Sequence, residues 1–279
     1  MGSLIVNADD FGLTAGVNRA VAELHTSGAL TSTTLMARAG ATAEAIEIAR
    51  AKPSLGVGCH VVLVDGEPIL SPREVPTLVD QKTGCFPLNL TTFLARLFTG
   101  RIAAEEIEAE VAAQIRSLQA QGLELTHVDT HKHTHMFPAV LRPVLRAAHA
   151  ANIRAVRNPF EPAWAVRATA GAGWARCAEV NLLRNLESSC RRIIAQEGLV
   201  TTAGTIAVVG TGVLDGTAIR RLLAKMPGGT WELVTHPGYN DADLAKVRTR
   251  LRASRDIERQ ALSAIREFPE IQLISYAGL

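Results

Sequence analysis

Short apolar runs alternate along this chain with longer stretches in which apolar residues recur every three or four positions. The first run, at positions 3–7, leads directly into Asp9 and Asp10. A short apolar run bounded by polar residues is typical of a strand buried in a parallel sheet. Apolar residues at helical spacing follow at positions 14–28. This pattern predicts a buried strand followed by an amphipathic helix.

The same alternation continues through the sequence. Further strands are predicted near positions 30–36, 55–63, 123–131, 153–157, 205–209, 231–235 and 271–276. Further helices are predicted near positions 41–51, 90–98, 103–120, 138–150, 181–196, 217–225 and 243–267. Strands that alternate with helices indicate a parallel sheet with right-handed crossovers. We therefore predict one α/β domain over residues 1–279, a distorted (β/α) barrel, in preference to a doubly wound sheet, because no glycine-rich phosphate loop follows the first strand.

Two segments interrupt this rhythm and are interpreted as insertions. Residues 65–88 are rich in proline, glycine and aspartate, and a loop of that length is usually functional or mobile. We expect it to form the rim of a site. Residues 158–182 are rich in alanine and glycine and contain Trp164 and Trp174. We expect this second insertion to cover the site.

Composition narrows the possible classes of protein. Hydrophobic residues make up 47% of the chain, which is typical of a folded protein with ample core. A net charge of +2 and an aromatic content of 4% give no support for nucleic-acid binding. The four cysteines are widely spread, no apolar run is long enough to span a membrane, and no secretory signal precedes the first strand. We expect a cytoplasmic protein.

Four of the eight histidines lie between positions 127 and 135. If this segment begins as a strand, every second side chain faces the same side. His127, Asp129 and His131 would then lie on one face. Imidazole and carboxylate are ligands that transition metals prefer, so the segment predicts a metal site. The alternative is a polar, histidine-rich loop that binds metal weakly and has no catalytic role.

Polar residues also follow several other predicted strands. In a parallel barrel the carboxyl ends of the strands meet at one rim, so residues distant in sequence converge there. The residues concerned are Asp9, Asp10, His60, Asp129, His131 and His236. One carboxylate and two histidines would bind an ion and leave positions open, while the second of two adjacent acids serves as a base. Taken singly, each residue could instead be a helix cap, a turn residue or a core histidine.

These motifs, in this order, resemble those of the YdjC-like carbohydrate deacetylases, which include chitooligosaccharide deacetylases. The matching sequences are the Asn-Ala-Asp-Asp-Phe-Gly run at 7–12, His60, the histidine-rich segment at 126–135 and His-Pro-Gly at 236–238. The resemblance implies a distorted barrel related to polysaccharide deacetylases. It also implies that Asp10, His60 and His131 bind the metal and that Asp9 is the general base. We choose His236 as the general acid.

The expected reaction follows from these roles. A divalent ion, Zn²⁺ or Mg²⁺ first and Mn²⁺ or Co²⁺ as alternatives, would activate water and polarise the acetamide carbonyl. Asp9 would take the proton from water, and His236 would donate one to the departing amine. We expect His127, Asp129, His133 and His135 to lie behind the ligands or against the sugar. Arg157 would either hold substrate hydroxyls or form a surface ion pair.

Residues 154–162 and the charged C-terminal helix look more like the branch of this family associated with hopanoid biosynthesis, often called HpnK. That resemblance implies an N-acetylglucosaminyl group on a hopanoid as the substrate. A lipid-linked substrate suggests peripheral contact with the inner face of the membrane, and 158–182 could supply it. The candidate contact residues are Phe160, Trp164, Val166 and Trp174.

Two further hypotheses remain open. The same ligands could serve a metal-dependent hydrolase that acts on another bond, and the same scaffold could be a non-catalytic sugar-binding protein. The basic run that includes Arg248, Arg250, Arg252 and Arg255 has acidic residues close by. We interpret this run as a solvated face of the last helix.

Overall fold

The computed structural model describes residues 2–169 and 173–279. Within these ranges the chain forms eight strands and ten α-helices. The strands are β1 (Gly2–Phe11), β2 (Ser32–Leu35), β3 (Gly56–Val61), β4 (His127–Thr130), β5 (Ala155–Val156), β6 (Gly204–Ile206), β7 (Gly229–Thr235) and β8 (Gln272–Leu273). The helices are α1 (Ala15–Thr26), α2 (Thr42–Ala51), α3 (Leu90–Phe98), α4 (Ala104–Gln119), α5 (Pro138–Ala150), α6 (Ala163–Ala168), α7 (Trp174–Leu183), α8 (Glu187–Gln196), α9 (Gly216–Ala224) and α10 (Ser254–Ala261).

The described strands are all parallel and lie in the order β5-β4-β3-β2-β1-β7-β6, with β8 paired to the start of β1. Backbone hydrogen bonds join segments beside the two edge strands, from Val156 N to Val200 O at 3.0 Å and from Thr205 N to Phe160 O at 3.2 Å. The sheet is therefore curled into a half-barrel with its edges brought together. This confirms the predicted α/β fold and distorted barrel.

Strand β1 explains why the sequence folds around its first motif. β1 pairs with β2, β7 and β8, and all its apolar residues are fully buried, most of them in one large core that also takes in residues from most of the helices, and Ile5 in a smaller cluster with Tyr276. Burial of apolar area in this way is the main stabilising contribution to a fold. The polar carboxyl end of β1 is consequently placed inside the barrel rather than at the surface.

The segment 65–88 is held in place by side chains of α3 and α4. The buried Glu110 carboxylate accepts hydrogen bonds from the backbone N–H groups of Ile69 and Leu70, at 2.8 and 3.0 Å. Glu106 accepts one from Thr77 N at 2.7 Å. These bonds satisfy backbone donors that a loop would otherwise leave to water. The segment is thus fixed by its contacts, although it forms neither helix nor strand.

The second insertion differs from the sequence prediction. Phe160 and Val166 are buried, and Trp164 packs edge-on against Trp231 with ring centroids 5.3 Å apart. Only Trp174, at the start of α7, is exposed among the four candidate membrane-contact residues, with 84% of its surface accessible. The predicted membrane contact is therefore wrong for Phe160 and Val166, which are buried, whereas Trp164 is partly exposed. Positions 170–172 of this insertion lie outside the described residues.

The prediction of one long helix over 243–267 is also wrong. This stretch forms a 3-10 turn at Leu244–Lys246, then α10, then a second 3-10 segment at Leu262–Glu267. Between the first two, Arg248 donates hydrogen bonds to Leu88 O and Asn89 Oδ1, both at 3.0 Å. Such tertiary contacts override helical propensity.

No helix in the described parts of the chain is both long enough and apolar enough to cross a lipid bilayer.

Candidate metal centre

Three side chains from different elements meet at the carboxyl ends of the strands. Asp10 Oδ1 lies 3.4 Å from His60 Nε2 and 3.3 Å from His131 Nδ1, and the two ring nitrogens are 3.3 Å apart. Asp10 ends β1, His60 lies in β3, and His131 opens the 3-10 segment after β4. The structure therefore brings together the three residues predicted to be metal ligands.

The spacing of these three atoms fits a divalent ion. Zinc binds imidazole nitrogen and carboxylate oxygen at about 2.0–2.1 Å, so two ligands of a tetrahedral site lie about 3.3–3.4 Å apart. The measured separations of 3.3–3.4 Å match this value. Two nitrogens and one oxygen also suit a transition metal better than they suit Ca²⁺. This cluster could hold one ion and leave a coordination position open.

A distortion of β1 allows two consecutive acids to face one site. Neighbouring residues of a regular strand point to opposite faces. The register between β1 and β2 shifts between Ala8 and Phe11, and Asp10 has a φ of 65°, in the left-handed region. Such a conformation costs about 1–3 kcal/mol in a residue other than glycine and is commonly found at functional sites. The bulge brings the side chains of Asp9 and Asp10 to the same cluster of polar side chains.

Asp129 determines the orientation of the His60 ring. His60 Nδ1 donates to Asp129 Oδ1 at 2.7 Å, which directs Nε2 at the position between Asp10 and His131. A carboxylate behind a ligating histidine fixes its tautomer and raises its basicity. Burial alone would lower the pKa of His60, but Asp129 and the other nearby carboxylates raise it to about 10. A bound cation would displace this proton.

Asp9 is held beside the ligands by Arg157. Arg157 donates from Nη1 to Asp9 Oδ2 at 2.8 Å and from Nη2 to Oδ1 at 2.6 Å. Burial alone would raise the pKa of Asp9, but Arg157 outweighs it and holds that pKa below its usual range. Asp9 is therefore an ionised carboxylate at neutral pH, and its partners are side chains of the barrel interior.

Arg157, for which the sequence left open a contact with substrate hydroxyls or a surface ion pair, lies in the interior. It is fully buried, and besides Asp9 it contacts Glu232 Oε1 at 2.6 Å and the carboxylate of Asp129. The interpretation as a surface ion pair is wrong, because no part of the side chain reaches solvent. Tyr276 completes the network by donating to Glu232 Oε2 at 2.5 Å. Neither Glu232 nor Tyr276 stood out in the sequence, since each lies in an ordinary apolar strand-like run.

His236 lies on the other side of Asp9. Its Nε2 is 3.8 Å from Asp9 Oδ2, and its Nδ1 is 3.8 Å from Glu258 Oε2. Burial alone would lower the pKa of His236, but Glu258 and then Asp9 raise it. The backbone N–H of His236 also donates to Glu258 at 2.7 Å. The structure thus brings His236 close to Asp9 and favours its protonated form.

The residues of α10 that face the site were missed. Arg255 is buried and donates from Nη2 to Asp10 Oδ2, and Glu258 is equally buried against His236. The interpretation of the basic run as a solvated face is wrong for Arg255, while Arg248, Arg250 and Arg252 are exposed. The spacing of three between Arg255 and Glu258 places both on one side of the helix.

The other histidines of the 127–135 segment do not join the cluster of ligands. His127 stacks on Tyr276 with ring centroids 3.8 Å apart, and burial lowers its pKa to about 3. His135 accepts a hydrogen bond from Thr130 and is 3.2 Å from Arg157 O, and burial lowers its pKa to about 4. Burial also lowers the pKa of His133. These rings lie in the wall of the barrel as neutral imidazoles.

The fold and this site define an α/β half-barrel protein with an Asp-His-His centre at the carboxyl ends of its strands. The chain belongs to the YdjC-like family, whose sequence profile matches residues 3–267. The family assignment made from the motifs is therefore confirmed.

The chain is also similar to curated relatives and to solved structures. A carbohydrate deacetylase of Thermoanaerobacter pseudethanolicus is 29% identical over 260 residues, which cover 93% of this chain and 90% of that protein. One from Brevibacillus brevis is 41% identical over 157 residues, covering 56% of this chain and 59% of that protein. A crystal structure of a proposed cellobiose-phosphate cleavage protein from Enterococcus faecalis has a TM-score of 0.77 at 26% identity, covering 99% of this chain and 98% of that one. A lactam utilization protein of Thermus thermophilus shares the fold, with a TM-score of 0.56 at 15% identity over 98% and 99% of the chains.

We expect Zn²⁺ or Co²⁺ to raise the melting temperature. An ion that binds only the folded state stabilises it by about 2.7 kcal/mol at a concentration of 100 Kd, which corresponds to roughly 5 °C. Differential scanning calorimetry with and without the ion measures the shift. His131→Ala should abolish it, whereas His149→Ala, on the exposed side of α5, should keep it. An equal shift in both variants would contradict the proposed ligand set.

Proposed function

We propose that this protein is a metal-dependent hydrolase that removes the acetyl group from an N-acetylated amino sugar. The observation that carries the proposal is the arrangement of Asp10, His60 and His131 at ligand spacing, with Asp9 and His236 adjacent to each other beside them. Hydrolysis of an amide requires activated water, a base and an acid, and these five residues can supply them. Relatives named as carbohydrate deacetylases support the substrate class.

Asp10, His60 and His131 would hold the ion. When bound, a divalent ion supplies Lewis acidity, which makes water more acidic and polarises the acetamide carbonyl. Asp9 accepts a proton from the attacking water, because Arg157 keeps its carboxylate ionised and fixed in orientation. The network around Arg157 thus prepares the base before the substrate arrives.

His236 provides the proton that the second half of the reaction requires. The C–N bond of the acetamide breaks only if the departing nitrogen is protonated, since an amine anion is too basic to leave. Glu258 and Asp9 flank His236 and favour its protonated form. The products are acetate and a free amino sugar.

The finer substrate that we propose is an N-acetylglucosaminyl group on a hopanoid. Its support is the resemblance of residues 154–162 and the C-terminal segment to the hopanoid-associated branch of the family. The exposed Trp174 and Leu182 lie two helical turns apart on α7 and could rest on a lipid surface. A soluble chitooligosaccharide is the second candidate, because relatives in Salmonella, 38% identical over 147 residues, are named chitooligosaccharide deacetylases.

The test compares two substrates. Zinc-loaded protein is incubated with N-acetylglucosaminyl hopanoid or with N,N′-diacetylchitobiose, and acetate and free amine are followed by mass spectrometry. Asp9→Asn should lower turnover by at least about 100-fold, because general base catalysis contributes 10²–10⁴-fold. The matched control is Asp243→Asn, which changes an exposed aspartate.

Each outcome separates the hypotheses. Turnover of the hopanoid alone supports the finer substrate, and turnover of chitobiose supports the reaction with the soluble substrate. Release of a product other than acetate would favour a different hydrolase. Tight sugar binding without turnover, unchanged in Asp9→Asn, would indicate a sugar-binding protein.

The role of His236 predicts a specific pH dependence. Its pKa is raised in the fold, which extends the acid form to higher pH, and activity should fall as pH rises through this pKa. Glu258→Gln removes the main charge that raises it, which should move the basic limb of the kcat profile to lower pH. Glu270→Gln, at an exposed position, is the control. A basic limb that stays at the same pH in Glu258→Gln would argue against His236 as the acid.

A further inference from the structure

Arg255 makes a direct contact with one of the proposed metal ligands. It is buried at the start of α10, and its Nη2 donates to Asp10 Oδ2. The turn after His236 makes room for it, because a Cβ atom at Gly238 would lie 3.1 Å from Arg255 Cδ. Gly238 N also donates to Arg255 O at 3.2 Å. Close packing against Gly238 and this backbone hydrogen bond therefore hold Arg255 in the site.

The two oxygens of Asp10 have different partners. Oδ1 is the atom that lies 3.3–3.4 Å from His131 Nδ1 and His60 Nε2. Oδ2 faces Arg255. A carboxylate can bind a metal ion through one oxygen or through both. In this geometry only one oxygen of Asp10 is left for an ion.

Stability alone does not account for Arg255. Among the described residues, its Nε and Nη1 atoms have no hydrogen-bond partner although both are buried. A buried cation with unsatisfied donors costs free energy, and an apolar side chain of similar volume is often as stable or more stable there. The contact with Asp10 is the one ion pair that the described residues offer it.

We propose that Arg255 is a positioning residue that keeps Asp10 a single-oxygen ligand of the metal. The proposal rests on the metal centre proposed above. A second oxygen of Asp10 would occupy a coordination position that water and the acetamide carbonyl need. Arg255 also withdraws negative charge from Asp10, so an ion there remains a stronger Lewis acid. Its role differs from that of Asp129 and Arg157, which act on His60 and Asp9.

The test uses Co²⁺, whose visible absorption is strong in four-coordinate sites and weaker at higher coordination number. Arg255→Met removes the charge and keeps the length of the side chain, and Arg255→Lys keeps the charge. Arg250→Ala removes a similar charge from an exposed position nearby and serves as the control. Each variant is titrated with Co²⁺, its absorption is recorded, and turnover of the acetylated sugar is measured.

In Arg255→Met we expect Co²⁺ affinity to be kept or increased, visible absorption to fall, and turnover to fall by roughly 10–100-fold, the usual effect of a residue behind a metal ligand. Arg255→Lys should recover part of both signals, because a single N–H contacts Asp10. Arg250→Ala should match the unmodified protein.

Two results would overturn the proposal. One is an unchanged Co²⁺ spectrum and unchanged turnover in Arg255→Met. The other is a parallel loss of Co²⁺ binding and melting temperature in both Arg255 variants, which would indicate a purely structural role. The Co²⁺ spectrum needs no substrate, so failure of the proposed deacetylation would show separately, as lack of turnover in the unmodified protein.

Discussion

The structure depends on the burial of one cation among three carboxylates. Arg157 contacts Asp9, Asp129 and Glu232, and all four side chains are enclosed by the barrel. Unpaired charges in such a place would cost several kcal/mol each, so removal of the arginine would leave three buried carboxylates without the cation they share. Through Asp129 the same network orients His60, and through Asp9 it fixes the proposed base. Local stability and the geometry of the site therefore have a common origin.

Residues around this network have strained backbone conformations at the proposed site. The bulge in β1 and the left-handed conformation of Asp10 are unfavourable locally, as are those of Lys132 and His133 beside His131. The distortion at Asp10 persists because β1 is an interior strand that pairs with β2, β7 and β8 and has apolar residues buried on both faces of the sheet. Helix α10 then closes the site from outside, with Arg255 on Asp10 and Glu258 on His236. Each proposed catalytic group thus has a charged partner behind it.

The sequence predicted the fold, because the periodicity of strands is a local pattern. It also predicted the convergence of Asp10, His60 and His131, because the carboxyl ends of parallel strands meet at one rim. It also predicted part of the support behind them, since Asp129 was expected to lie behind the ligands or against the sugar and is found behind His60. Arg157 was expected either to hold substrate hydroxyls or to form a surface ion pair, and Arg255 belonged to a charged run that resembles any solvated helix. The broken helix at 243–267 follows from contacts with Leu88 and Asn89, far away along the chain. Such long-range pairings leave no periodic signal, so local patterns could not reveal them.

The most direct test of this account is a crystal structure of the Co²⁺-loaded protein with anomalous scattering recorded at the cobalt edge. The account predicts one ion bound by Asp10 Oδ1, His60 Nε2 and His131 Nδ1, with Asp9 off the metal and still paired with Arg157. An ion bound through Asp9 or Asp129 instead, or no ordered ion at this rim, would contradict it.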